Sequence, residues 1–264
     1  MFTPIEAADD PRLAPFRLNE RGLASRADKR DDAGAGLFLA EGDLVVERAL
    51  AAGCRPHAAL ADHGRMPNVA ADLVAAGADV FVAGDAVRAM VTGLGMPHPV
   101  VALFHRPSRP SAEALITASE RLVIVEGVDN PANIGAIVRN AAGLGWDGLL
   151  LDHTSADPLA RRALRVAMGT AFTLAHARTN RLAATVAAID DRTIYALTPD
   201  PDAIDIRDLD PPRGRRAIAI GSERAGLSAQ LLATATPVRI EMAGGVDSLN
   251  AAAATAVACF ALGA

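Results

Sequence analysis

Short unbroken runs of Val, Ile and Leu, each followed by a stretch of helical period, recur along this chain. LVIVEGV (122–128), GLLLD (148–152), TIYALT (193–198) and AIAIG (217–221) are four of them. They are too short for helices, and they lack the apolar–polar alternation of a strand with one wet face. Strands of this kind are covered on both sides, as in a parallel sheet, and parallel neighbours need a crossover, usually a helix. ANIGAIVRNAAGLG (132–145) and NRLAATVAAID (180–190) fill that role. The expected class is therefore α/β.

The first half carries the same alternation. GLFLAEG reads as a strand and DLVVERALAAG as a helix, with Asp43 as its candidate N-cap and Gly53 just past its end. PHAALAD, DVFVAG and PVVALFH read as further strands, separated by helices MPNVAADLVAAG and DAVRAMVTG. The first thirty residues mix charges without a period, and a short helix followed by a loop is expected there. HRPSRPSAE (105–113) interrupts the pattern with prolines, serines and arginines. It divides the chain into a small α/β domain, residues 1–107, and a parallel-sheet domain, residues 108–264.

Several classes fall away. Cys54 and Cys259 are the only cysteines; they build neither a disulfide framework nor a metal-ligand spacing, so no metal is expected. A reducing, cytoplasmic setting follows, and MFTPIEAADD has no secretory character. The C-terminal run LNAAAATAVACFALGA is shorter than a membrane span and mostly alanine, so it reads as a core helix. A net charge of −5 excludes a uniformly basic nucleic-acid coat but permits a local cationic patch.

Ligands of parallel α/β sheets bind beyond the C-terminal ends of the strands. Three strand ends are unusually polar. In VEGVDNPANIGAIVRNA the strand ends at Glu126-Gly127, and a helix is expected from about Ile134 with Asn133 capping it and Arg139 two turns in. In AIAIGSERAGLS the strand ends at Gly221, and Ser222, Glu223 and Arg224 form the turn before a helix at Leu227. In VRIEMAGGVDSLNAAAA the strand is expected to end at Met242, with Asp247-Ser248 capping the last helix and Asn250 in its first turn. Each turn alone is ordinary: a cap, a surface arginine, a glycine bend. A generic nucleotide-binding enzyme is disfavoured, since neither GxxxxGK[ST] nor GxGxxG occurs.

In this order, DNPANIGAIVRNA, GSERAGLS and SLN before an alanine-rich helix resemble the SpoU/TrmH branch of the SPOUT methyltransferase superfamily. DPLARRALRVAMGTAF is similar to that family's segment between its first and second motifs. The resemblance runs from about Arg121 to the end. FLAEGDLVVERALAAG is similar, more loosely, to the small RNA-binding domain often fused ahead of it.

The resemblance implies transfer of a methyl group from S-adenosylmethionine to RNA, most often to a ribose 2′-oxygen. It implies a C-terminal domain tied in a deep trefoil knot, and a homodimer with the active site beside the interface. Asn133, Arg139, Glu223, Ser248 and Asn250 match the family's polar signature, with Arg139 as the catalytic residue. Gly221, Ile240, Met242 and Leu249 would line the cofactor pocket. A guanidinium stays protonated in proteins, so Arg139 is better suited to holding an RNA phosphate and a developing alkoxide than to acting as a base. Arg224 stands where many relatives have glycine, and Glu241 where they usually have proline.

Ribosomal RNA is expected over transfer RNA because of the extra N-terminal domain. A family member that binds RNA without catalysis is the alternative, disfavoured by intact Arg139, Glu223 and Asn250. Candidate phosphate ligands are the N-terminal arginines, Arg106, Arg109, Arg161, Arg162 and Arg165, each of which also reads as a plain solvated cation. Trp146 and Tyr195 are expected in the core. The candidate dimer surface is the terminal helix with the helix from Ile134 to Leu144.

Overall fold

The structure, a computed structural model, describes residues 1–24, 36–93, 98–210 and 214–263. Arg26 and Arg30, and the Arg21 side chain, lie outside that description. The chain divides into two compact units: Met1–Ser108 with Leu159–Phe172, and Arg109–Pro158 with Thr173–Ala264.

The first unit runs β1 (Phe2–Pro4), α1 (Glu20–Leu23), β2 (Leu37–Glu41), α2 (Asp43–Ala51), β3 (Pro56–Asp62), α3 (Val69–Ala75), β4 (Asp79–Ala83), α4 (Asp85–Thr92) and β5 (Val100–His105). Among the described residues the sheet order is β1-β4-β3-β5-β2, with β5 antiparallel to both neighbours. The N-terminus begins with a strand, not the expected helix, because Phe2–Pro4 pairs with Val80–Val82 of β4. A 3-10 helix over Pro11–Arg17 follows, and its Leu13 and Phe16 enter the core beside Leu39, Leu60 and Leu103. Gly42, not Asp43, takes the cap position of α2.

The excursion Leu159–Phe172, with α7 (Arg161–Ala167), belongs to this unit, whereas chain order alone assigned it to the second domain. The physical reason is Glu41, only 4 % exposed on β2. A buried carboxylate needs a partner. Arg161 pairs with it, and Arg165 reaches its other oxygen at 3.3 Å. Arg161 also donates to the Thr92 carbonyl at 2.9 Å, and Phe172 packs its ring against Phe38.

The second unit runs α5 (Ala112–Ala118), β6 (Arg121–Glu126), α6 (Pro131–Gly143), β7 (Gly148–Asp152), β8 (Ala175–Thr179), α8 (Leu182–Ala187), β9 (Thr193–Leu197), β10 (Ile204–Asp205), β11 (Arg216–Gly221), α9 (Ala229–Leu232), β12 (Thr236–Arg239) and α10 (Ala251–Ala261). Among the described residues its sheet order is β10-β12-β9-β11-β6-β7-β8, and every recorded pairing is parallel. One face, with Leu122, Ile124, Leu150 and Ala219, is covered by Leu115 of α5, Val186 of α8 and Leu231 of α9. On α6, Ile134, Ile137 and Val138 are buried, and α10 packs against α6 and β11. Double coverage explains the unbroken apolar runs of these strands. Trp146 and Tyr195 are buried as expected; the Trp146 indole donates to the Cys259 carbonyl at 3.0 Å.

Three boundaries differ from expectation. The FTLAH strand is shifted to Ala175–Thr179, where it pairs with β7. β12 stops at Arg239, three residues before Met242, because its partners run out: Val238 faces Leu197, the last residue of β9, and Arg239 faces Asp205, the last of β10. The helix expected from Leu227 starts at Ala229, capped by Ser228. Among the described residues, no helix is long and apolar enough to cross a membrane, and no group of three or more His, Cys, Asp or Glu could hold a metal ion.

Candidate active site

The three polar strand ends converge. After β6, Asn130 caps α6 by accepting from the Ala132 N–H at 2.9 Å, and Pro131 occupies the first helical position. Proline suits that position because its missing N–H would have no helical partner. Asn133 is therefore not the cap but lies inside the first turn, its side chain free to reach outward. After β11, Gly221 leads into a loop that folds straight back on it. A Cβ at Gly221 would stand 2.1 Å from the Gly226 carbonyl carbon, so only glycine fits. The turn is closed by Gly226 N–H to the Ser222 carbonyl at 2.9 Å and anchored by Ser228 N–H to Glu126 Oε2 at 2.7 Å. After β12, Asn250 caps α10, its Oδ1 accepting from the Ala252 N–H at 2.9 Å. Asp247 and Ser248 precede that cap and do not supply it.

With its Oδ1 occupied, Asn250 points Nδ2 at Glu223 Oε1 (2.5 Å) and Asn133 Oδ1 (3.1 Å). Asn133 Nδ2 donates to the same Glu223 oxygen at 2.9 Å. The two amides thus fix one carboxylate oxygen and leave Oε2 without a donor among the described residues. Beside this cluster opens a cleft of about 600 Å³, lined by Gly221, Glu223, Ile240, Met242, Ser248 and Leu249 among others. Its walls mix aliphatic side chains with loop backbone. Glu241 on its rim pairs with Arg239 of β12, which gives this acid a structural task where a proline is usual. Arg224 also lines the cleft and is exposed. Arg139 is exposed on α6 and does not line the cleft.

Residues 120–260 match the SpoU rRNA methylase family. A protein of Mycobacterium tuberculosis described as an uncharacterized tRNA/rRNA methyltransferase is 35 % identical over 260 residues, covering 96 % of this chain and 88 % of that one. The chain belongs to this SpoU family. A Bacillus subtilis member, a 23S rRNA (guanosine(2553)-2′-O)-methyltransferase, is 28 % identical over 87 % of this chain and 89 % of its own. An AdoMet-bound rRNA methyltransferase from Sinorhizobium meliloti superposes with a TM-score of 0.81 at 26 % identity, over 99 % of this chain and 97 % of that one.

Within this SpoU member, Asn133, Glu223 and Asn250 come together, whereas Ser248 contributes to the cleft wall. Six of the candidate phosphate ligands have other work: Arg12 pairs with Asp10 at 2.6 Å, and Arg17 donates to the Asp10 carbonyl at 3.3 Å. Arg106 is buried, with Nε donating to the Leu37 carbonyl at 3.2 Å. Arg109 pairs with Asp157 at 3.1 Å, and Arg161 and Arg165 serve Glu41. Arg162 remains exposed.

Asp152 escaped the sequence reading. It is 7 % exposed at the end of β7. Burial alone would raise its pKa, but the Ser155 and Thr154 hydroxyls and the Gly127 N–H outweigh that and hold it below the usual carboxylate value. The signal was legible: Asp at a strand end, with Thr and Ser two and three residues on, is a side-chain-closed turn.

Proposed function

We propose that this protein transfers a methyl group from S-adenosylmethionine to a ribose 2′-hydroxyl of ribosomal RNA. The observation that carries the reading is the junction of Asn133, Glu223 and Asn250 at the lip of the cleft. A cleft of about 600 Å³ has the size and mixed lining of a small-molecule site. Gly221 removes the Cβ that would block the loop from closing over it. The residues present therefore fit this cofactor, with Gly221, Ile240, Met242 and Leu249 as its walls.

The cofactor supplies a methyl on a sulfonium, already activated toward a nucleophile. The chain's task is placement of the 2′-oxygen in line, about 3 Å from that carbon, with solvent kept out. Asn133 and Asn250 hold Glu223 rigid, and its free Oε2 is available to accept the hydrogen bond of the ribose hydroxyl. Arg224, exposed on the cleft wall, supplies charge toward the developing alkoxide, and Arg139, exposed on α6 outside this cleft, supplies charge for an RNA phosphate.

The first unit serves as the RNA-binding domain, through arginines not used internally. A second copy covers the apolar outer face of α10, where Phe260 is 77 % and Val257 39 % exposed beside α6. The C-terminal segment forms a trefoil knot. After β12, on the far side of β9, the chain returns to place α10 against α6 and β11, past the loop that follows β11. Two free, buried thiols, Cys54 and Cys259, suit a cytoplasmic enzyme. The deciding experiment maps 2′-O-methylation in total RNA from cells with and without this gene. One ribosomal position losing its methyl in the deletion supports the reading; a loss confined to transfer RNA, or no loss, overturns it.

A further inference from the structure

The loop that follows β6 is sewn to the loop that follows β7. Asp152 Oδ1 accepts from the Gly127 N–H at 3.0 Å. Ser155 Oγ accepts from the Val128 N–H at 3.1 Å, and the Ala156 N–H donates to the Val128 carbonyl at 2.8 Å. The Asp152 carboxylate also gathers its own turn, accepting from the N–H groups of Thr154 and Ser155 at 3.0 Å each and from both hydroxyls. Arg178 pins the far side, donating to the carbonyls of Asp152 (2.9 Å), Ser155 (2.7 Å) and Ala156 (3.1 Å).

Gly127 and Val128 lie three and two residues before Asn130, the cap of the helix that carries Asn133. Gly127 has φ +69°, and a Cβ there would sit 3.6 Å from Cβ of Ser222, the neighbour of Glu223. The backbone gripped by Asp152 is thus the backbone that sets the spacing between the Asn133 and Glu223 loops.

We infer that Asp152, with Ser155, is the positioning residue of the transfer site: it fixes the loop carrying Asn133 against the loop carrying Glu223 without touching substrate. The inference rests on the methyl-transfer reading above. Loss of the clamp loosens a hydrogen-bonded cluster that has to present one carboxylate oxygen within a fraction of an ångström.

The test uses the full-length chain, radiolabelled S-adenosylmethionine and total RNA from cells lacking the gene. Asp152→Ala and Ser155→Ala should each slow transfer at saturating concentrations by about 10–100-fold, the scale on which ångström misplacement is felt. Dissociation constants for S-adenosylmethionine and RNA should stay within about 3-fold of wild type, since neither residue lines the cleft. Asp152→Asn keeps an acceptor for the Gly127 N–H and should recover much of the rate. Wild-type rates in both alanine variants overturn the inference, as does a rate loss matched by equal weakening of binding. If Asp152→Ala does not fold, Ser155→Ala decides. If the wild-type chain transfers no methyl, the proposed activity fails. The ¹⁵N resonance of the Asn133 side-chain amide then decides: displacement in Ser155→Ala, which removes the acceptor of the Val128 N–H, supports the clamp, and an unmoved resonance overturns it.

Discussion

Asn133 and Asn250 stand 117 residues apart in the chain, and their side-chain amides are hydrogen-bonded to each other at 3.1 Å. Both also donate to one oxygen of Glu223. A carboxylate held by two amides loses rotamer freedom before substrate arrives, which is the preorganisation a transfer site needs.

Glu223→Ala removes the shared acceptor. Methyl transfer should fall by about 100-fold or more, measured as kcat with labelled cofactor, while stability changes by less than about 1 kcal/mol because the residue is exposed. Glu223→Gln keeps an oxygen for the amides and should lose less.

Gly221→Ala would drive a methyl into the Gly226 carbonyl group, 2.1 Å from its carbon. The loop has to open to relieve the clash. Binding of S-adenosylmethionine, followed by calorimetry, should weaken by at least about 10-fold, and unfolding free energy should fall by about 1–3 kcal/mol. Unchanged binding would remove this loop from the pocket.

Glu41→Leu leaves Arg161 without its buried counter-ion in the first unit. Denaturant unfolding should show a loss of about 3 kcal/mol. Glu41→Leu combined with Arg161→Leu should regain part of it, because the uncompensated charge is then gone.

His176 is buried on β8, its Nδ1 3.1 Å from the Leu174 carbonyl and its Nε2 without a partner among the described residues. Burial, then the nearby Arg109 charge, push its pKa down from 6.5 to about 4. The folded state therefore binds this proton later than the unfolded chain, and stability drains away as pH falls from the unfolded value towards the folded one. The expected loss is about 1 kcal/mol at about pH 5.5 and about 2–3 kcal/mol at about pH 4.5. Urea titrations across that range should show a flatter profile for His176→Gln than for wild type.

Phe260→Glu places a charge on the outer face of α10. Wild type should sediment as a dimer and the variant as a monomer at micromolar concentration; monomeric wild type would refute the proposed homodimer.

The strands of the second unit were legible because each is covered on both faces, which writes an unbroken apolar run into five or six residues. The glycine-bearing turns were legible as well, since Gly221 and Gly127 answer to local sterics. Cap positions were misplaced by a few residues: Asn130 and Asn250 took the roles assigned to Asn133 and Asp247-Ser248. Several side chains there can cap, and only the backbone angles select one. Among the cations, Arg106, Arg109 and Arg161 look identical in sequence to Arg162, yet they are held by internal acceptors.

The chain's own pattern determined the α/β class, the order of its elements and the three loops where chemistry could reside, because period, turn chemistry and apolar length are local properties. Tertiary structure alone decided that Asn133 meets Asn250 over Glu223, that Leu159–Phe172 joins the first unit through Glu41, and that Asp152 grips Gly127. Those pairings join residues from 25 to 124 positions apart. No local free energy favours them; the packed sheets bring Asn133, Glu223 and Asn250 within hydrogen-bond reach, and the buried carboxylates Glu41 and Asp152 have to find partners where they lie.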